Sequence, residues 1–202
     1  SPNHVPGLYE AFGMPEFDSL YLKYEKDKSI PKQTIGAQEL FQALLKERAE
    51  TGRIYIMNLD HCNTHSSFKD KVYMSNLCQE ITLPTTPVQH IDDKEGEIAL
   101  CILSAINLGL LSDMDELEEL CDLSVRALDE IIDYQEYPVE AAKISTQARR
   151  SLGIGYIGLA HYLAKNQVGY EDKKALKIVD KITEAFQFYL LKASNNLAKE
   201  KT

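Results

Sequence analysis

The stretch Ser75-Asn76-Leu77-Cys78-Gln79-Glu80 places an amide, a thiol and a carboxylate at every second position. In an extended chain alternate side chains point the same way, about 6.6 Å apart. One face then offers Asn76 to hold a hydroxylated substrate, Glu80 to remove a proton and Cys78 for sulfur chemistry, while Leu77 and Gln79 face away. Spacing alone favours something plainer: a strand edge with one buried cysteine and two solvated polar residues.

The other candidate groups carry less by themselves. Cys101 sits inside an apolar run that begins at Ile98, where a free cysteine reads as a small buried hydrophobe. Cys121 falls on the apolar face of a predicted helix and reads as core. His61, Cys62 and His65 (HCNTH) look like half of a metal site, but a closed zinc site needs four ligands and no second pair follows. Polar residues that orient a neighbouring segment are the better reading of that motif. Gly153-Ile154-Gly155-Tyr156-Ile157-Gly158 matches G-x-G-x-x-G literally. The dinucleotide fingerprint needs an apolar strand immediately before it, and Gln147-Ala148-Arg149-Arg150-Ser151 is not one. The glycines are therefore expected to permit close packing at a helix entry.

The elements that must position these groups are mainly helical. Apolar periodicity appears first over Ala37 to Glu50, where Leu40, Phe41, Leu44 and Leu45 form one stripe and Gly52 is the stop. Arg53 to Asn58 (RIYIMN) alternates and predicts a short strand, and Asp60 to Asp70 predicts a loop. The run from Ile98 predicts a buried strand ending in a turn near Asn107-Leu108-Gly109. A helix is expected from Ser112, with Asp115 in a capping-box variant and Leu117, Leu120, Cys121, Leu128, Ile131 and Ile132 on its apolar face. Pro138 begins another helix, to about Arg150. A last helix runs from about Glu171 to Ala198, with Leu176, Val179, Ile182, Phe186, Leu190, Ala193 and Leu197 on its buried side. Such a chain is α/β: mainly helical with a few short buried strands, too few to close a sheet alone. No domain boundary is visible, so residues 1–202 are taken as part of one incomplete domain.

Bulk properties exclude several classes. With 202 residues, 44% hydrophobic and 26% charged, the composition is that of an ordinary globular protein. The longest apolar run, Ile98 to Leu111, is interrupted by Ser104 and Asn107, short of the roughly 18 residues a membrane span needs. A net charge of −9 with no basic stripe argues against a nucleic-acid polymer as partner. Four cysteines without C-x-x-C fit reduced thiols in the cytoplasm better than a disulfide scaffold. There is no signal peptide, and the chain starts with Ser1, as an excised or processed segment would.

At SNLCQEI (Ser75 to Ile81) the sequence resembles the active-site finger loop of class I ribonucleotide reductase large subunits. VPGLYEAF (Val5 to Phe12), LYLKYEKD (Leu20 to Asp27), ERAETGRIYIMNLDHCNTH (Glu47 to His65), GEIALCILSAINLG (Gly96 to Gly109), VRALDEIIDYQEYP (Val125 to Pro138), LGIGYIGLAHYLAK (Leu152 to Lys165) and LLKASNNLAKE (Leu190 to Glu200) resemble the same family, in its order and over nearly the whole chain. The cobalamin-dependent class shares related radical chemistry, but these flanking blocks are more similar to class I.

The resemblance implies a ten-stranded α/β barrel of two half-barrels, with the finger loop threaded into its centre. It implies that Cys78 becomes the thiyl radical that abstracts the 3′ hydrogen, that Glu80 takes the 3′-hydroxyl proton, and that Asn76 hydrogen-bonds and orients the substrate. It implies that Cys101 is one of two thiols that reduce the 2′ position. The activity implied is reduction of ribonucleoside diphosphates to deoxyribonucleotides, the precursors of DNA replication. A radical needs shelter from water, and a carboxylate desolvated in the same place is a better base. No cofactor is implied for this segment: the radical comes from a separate metal-containing small subunit, and reducing equivalents from a dithiol protein of the thioredoxin or glutaredoxin type. The family's second reducing cysteine, its allosteric nucleotide sites and its subunit-pairing helices lie upstream of the matched portion. Its tyrosine pair and C-terminal cysteines lie downstream. The alternative is a structural segment, inert alone, that acts only when assembled with the rest of the subunit.

Overall fold

Leu117, Cys121, Val125, Leu128 and Ile132 recur every three or four residues, and all are buried along one side of helix α4, Glu116–Tyr134. The computed structural model describes residues 4–202. It divides the chain into two units, Ser1–Thr86 and Pro87–Thr202, and α4 belongs to the second. The helix starts at Glu116, not at Ser112. Before it, the Asp115 N–H donates to Asp113 Oδ1 at 3.2 Å, and Asp115 makes no side-chain cap bond. Short polar side chains compete with the helix in this way for backbone groups, which delays its start.

In the second unit, strand β1 (Ile102–Asn107) pairs in parallel with strand β2 (Leu152–Ile157), in a register that sets Ile102 against Leu152 and Asn107 against Ile157. Parallel strands need a long crossover. Here it contains α4 and α5, Glu140–Arg149. Helix α6 (Leu159–Lys165) and helix α7 (Lys173–Lys201) follow β2. The pair is covered by α4 and α7: Ile102, Leu128 and Ile132 make one buried cluster, and Ile106, Leu108, Leu117, Cys121, Ile182 and Phe186 make another. Burial of each large side chain contributes roughly 1.5–3 kcal/mol. The Tyr156 ring meets Phe186 edge-on at 5.6 Å. Two residues expected on buried faces are not: Leu176 is exposed on α7 and Ile131 on α4.

The apolar run from Ile98 does not all become strand. Its first residues precede β1, and the Ile98 N–H donates to Ala141 O at 3.1 Å instead. The turn expected at Asn107–Gly109 is a single 3₁₀ turn, Leu108–Leu110, with Asn107 Oδ1 accepting from the Gly109 N–H at 3.1 Å. Gly153 and Gly155 lie within β2 rather than after a strand, so a phosphate-binding turn has no place there. Gly158 does stand at a helix entry, at φ 75° immediately before α6, where a Cβ would run into Asn107 Oδ1.

Arg150 ends α5 in the left-handed region, at φ 47°. Its guanidinium donates to Asp129 Oδ1 at 2.6 Å, to both Asp133 carboxylate oxygens at 2.8 Å and to Asp129 O at 2.7 Å. Lys201 at the end of α7 adds a bond to Asp129 Oδ2 at 2.6 Å. Arg150 first, then Lys201, holds the Asp129 carboxyl below its ordinary range, and Arg150 does the same to Asp133. The network ties the start of β2 to α4 and the end of α7.

The first unit contains α1 (Glu16–Lys26), α2 (Ala37–Thr51) and α3 (Leu59–Thr64). Helix α1 was not expected from periodicity. Its apolar positions are aromatic-rich and none is buried; Phe17 and Tyr21 stack at 5.9 Å, and Tyr24 donates its hydroxyl to Pro6 O at 2.6 Å. Lys32 Nζ caps its end through Tyr24 O at 3.0 Å. Helix α2 matches expectation closely and stops at Gly52, φ 64°. Its stripe is uncovered, however: Leu40, Phe41 and Leu45 are exposed. Arg53–Asn58 forms no strand, because no neighbouring chain in the described residues pairs with it. Part of the loop expected over Asp60–Asp70 is helix α3. No helix among the described residues is long and apolar enough to cross a membrane.

Candidate active-site turn

Asn63, on α3, faces the segment that leads to Cys78. Its Oδ1 accepts from the Val72 N–H at 2.8 Å, and its Nδ2 donates to Val72 O at 2.9 Å and to Leu59 O at 3.0 Å. Val72 is only 1% exposed, so these backbone groups have no water to turn to. One residue on, the Tyr73 ring stacks on Tyr9 at 5.4 Å and 19°. The chain from Lys71 to Asn76 belongs to no strand, and these contacts hold it.

Beyond Asn76 the backbone reverses. The Gln79 N–H donates to Asn76 O at 3.2 Å, the Asn76 N–H donates to Ile81 O at 3.3 Å, and the Ile81 N–H donates to Asn76 Oδ1 at 3.0 Å. Ser75 Oγ adds a bond to Asn76 O at 2.9 Å. Gln79 completes the reversal with φ 62°, a conformation that costs an ordinary L-residue of order 1 kcal/mol. The expected extended chain is thus corrected to a closed turn. Two-residue alternation does not apply. One turn carries Asn76, Cys78 and Glu80. Leu77 is 85% exposed at its tip, Cys78 and Glu80 are exposed, and Asn76 is half-buried. The side-chain amide of Asn76 spends its oxygen on closing the turn, which leaves its two N–H donors for a ligand.

The other cysteines separate cleanly. Cys101 is exposed and stands just before β1, not inside a buried strand; an exposed thiol there is open to exchange chemistry rather than to packing. Its approach is fixed by Arg149, whose guanidinium forks onto Glu97 at 2.7 and 3.1 Å. Cys121 is fully buried, and burial pushes its thiol up to about 11, which makes it inert at neutral pH. Cys62 is half-buried on α3. Of the HCNTH residues, His65 Nδ1 lies 3.0 Å from His61 O, and the rings of His61 and His65 are 6.3 Å apart. Among the described residues no group of three or more His, Cys, Asp or Glu side chains is arranged to hold a metal ion. A cleft of about 500 Å³ lined by Val125, Leu152, Ile154, Leu190 and Leu197 includes no cysteine.

Residues 1–202 match the family described as ribonucleotide reductase, barrel domain. The chain belongs to this family. It is 58% identical to the ribonucleoside-diphosphate reductase subunit alpha of Buchnera aphidicola subsp. Schizaphis graminum, over 100% of this chain and 27% of that protein. It is 57% identical to the ribonucleoside-diphosphate reductase 1 subunit alpha of Escherichia coli K12, over 99% of this chain and 27% of that protein. It is 36% identical to the ribonucleoside-diphosphate reductase large subunit of Plasmodium falciparum, over 98% of this chain and 24% of that protein. The chain therefore spans about 27% of the length of the bacterial relatives. In this ribonucleotide reductase segment, two structural residues had escaped the sequence reading: Asn63 holds the segment before the Cys78 turn, and Arg150 ties the start of β2 to α4. Asn63 was visible only as the middle of HCNTH, and Arg150 only as half of an Arg-Arg pair.

Proposed function

We propose that this chain is the segment of a ribonucleoside-diphosphate reductase α subunit that supplies the radical-bearing cysteine and one reducing thiol. The observation that carries the reading is the single closed turn that holds Cys78 between Asn76 and Glu80, in a chain of this family. In the complete subunit, residues 1–202 form part of one ten-stranded α/β barrel, to which β1 and β2 contribute two parallel strands.

Cys78, as a thiyl radical, takes the 3′ hydrogen atom from the ribose of a ribonucleoside diphosphate. Glu80 takes the 3′-hydroxyl proton, and the Asn76 N–H groups hold the sugar hydroxyls. The 2′ oxygen leaves as water. Two thiols, Cys101 and one from elsewhere in the subunit, give up two electrons and two protons to become a disulfide, and Cys78 returns the hydrogen to the 3′ carbon. Cys78 reaches its radical form by losing an electron and a proton to a separate, metal-containing small subunit. A thioredoxin- or glutaredoxin-type dithiol, in the cytoplasm, restores Cys101. The segment acts only when assembled with the remainder of its subunit.

The test uses the complete subunit with its radical-generating partner and dithiol. Cys78→Ser is expected to bind nucleotide yet form no deoxynucleotide. Cys101→Ser is expected to release or exchange the 3′ hydrogen and to degrade substrate without normal product. Multiple turnover by Cys78→Ser would remove the radical assignment, and wild-type turnover by Cys101→Ser would return that thiol to a structural role.

A further inference from the structure

We propose that Asn63 is a positioning residue for the Cys78 thiol, its side chain standing in for the missing strand partner of the segment that carries the turn. The inference rests on the reading of Cys78 as the reacting thiol.

A β-strand is held by a neighbour that accepts its N–H and donates to its C=O. Among the described residues Lys71–Asn76 has no such neighbour, yet Val72 is 1% exposed and both its backbone groups are paired, one to each end of the Asn63 carboxamide. A carboxamide is the one uncharged side-chain group that offers an acceptor and donors in the geometry of a peptide bond. The second Nδ2 hydrogen goes to Leu59 O, one helical turn back, which fixes the rotamer of Asn63 on α3. Both donors and the oxygen are therefore engaged. Aspartate would lose both donors, and serine could not reach two atoms on one residue.

From Val72 the path to Cys78 is short and has few free joints. Tyr73 is stacked on Tyr9, and Asn76 closes the turn through its own backbone and side chain. The root of the turn is thus set by Asn63 and its shape by Asn76. Release of the root moves the whole turn as a body, with Asn76, Cys78 and Glu80 keeping their mutual arrangement. This motion lowers the rate of hydrogen abstraction more than it lowers substrate affinity. Hydrogen transfer depends steeply on the approach of two atoms, and a misplacement of about 1 Å by a distant change can cost on the order of 100-fold.

The experiment is done on the complete subunit with its radical-generating partner, and compares Asn63→Ala, Asn63→Asp and Cys78→Ser with the parent. Asn63→Ala is expected to lower kcat about 100-fold while KM for the nucleoside diphosphate and the circular-dichroism spectrum stay near the parent's. The isotope effect on kcat with 3′-deuterated substrate should grow, because hydrogen abstraction has become the slow step. Asn63→Asp keeps the bond from the Val72 N–H and should fall between the two. Parent-like kcat and isotope effect in Asn63→Ala, with Cys78→Ser inactive, overturn the positioning role and leave the assignment of Cys78 standing. An active Cys78→Ser overturns the functional reading itself. Loss of folded structure in both Asn63 variants assigns the residue to stability alone and also overturns the proposal.

Discussion

The two units of the chain are held by different means. Pro87–Thr202 covers a parallel strand pair with two helices packed on each other and buries Leu108, Leu117, Cys121 and Ile132 almost completely. In Ser1–Thr86 the buried apolar side chains among the described residues are Leu59, Val72 and Pro84, and neither α1 nor α2 buries any residue. The first unit is held mainly by hydrogen bonds, ring contacts and turns, and it carries Cys78. The second has an apolar core of its own and carries Cys101 on its surface. The Cys78 turn therefore resides in the part with less cohesion of its own.

The largest test of this contrast is activity. The 202-residue chain alone, given a radical-generating subunit and a dithiol, should form no deoxynucleotide by chromatographic assay; product formation would show that the uncovered first unit needs no further cover. The next compares cores. In urea unfolding of the chain, Leu117→Ala should cost about 3 kcal/mol, whereas Leu40→Ala on the exposed stripe of α2 should stay within about 0.5 kcal/mol. Equal costs would mean that α2 is buried in solution. Arg150→Ala should then cost roughly 2 kcal/mol near neutral pH through its lost charged hydrogen bonds. Its partners Asp129 and Asp133 have folded values below the ordinary 3.8. Their contribution is present above that value and lost as pH falls through the folded values, so the gap between variant and parent should close in acid. The smallest effect concerns Cys121, whose thiol is raised from 9.0 to about 11. A raised value stabilises below pH 9 and is lost as pH rises towards 11, at on the order of 1 kcal/mol by pH 10, and Cys121→Ala should lack that alkaline slope.

Much of the second unit was legible because its helices bury their own stripes. Cys121 and Leu117 were placed in the core from spacing alone, and β1 was placed to within a few residues. Ile98–Cys101 misled because apolar character does not say where a strand finds its partner, and Leu176 because a long helix outruns the core it lies on. In the first unit the α2 stripe named the helix but not its surroundings. The alternation at Asn76, Cys78 and Glu80 suggested an extended chain because nothing in the residue types announces a positive φ at Gln79. The three residue types and their spacing were read from the sequence, but the backbone that carries them is a turn and not an extended chain. Asn63 could not be found from sequence, since its partners are backbone atoms and leave no pattern of residue types.

The register of the strand pair also has a consequence in time. Ile102 pairs with Leu152, fifty positions later. At a synthesis rate of about 5–20 residues per second, β1 waits roughly 3 to 10 s on the ribosome before β2 exists. During that interval α4 can already cover its apolar side chains, through Leu128 and Ile132 on Ile102. The crossover helix is thus made before the partner strand it connects to, and it covers β1 as well as linking it. A codon-level slowing between Tyr134 and Leu152 would lengthen the vulnerable interval and raise the share of newly made chains lost to aggregation, with no change in the protein that finally folds.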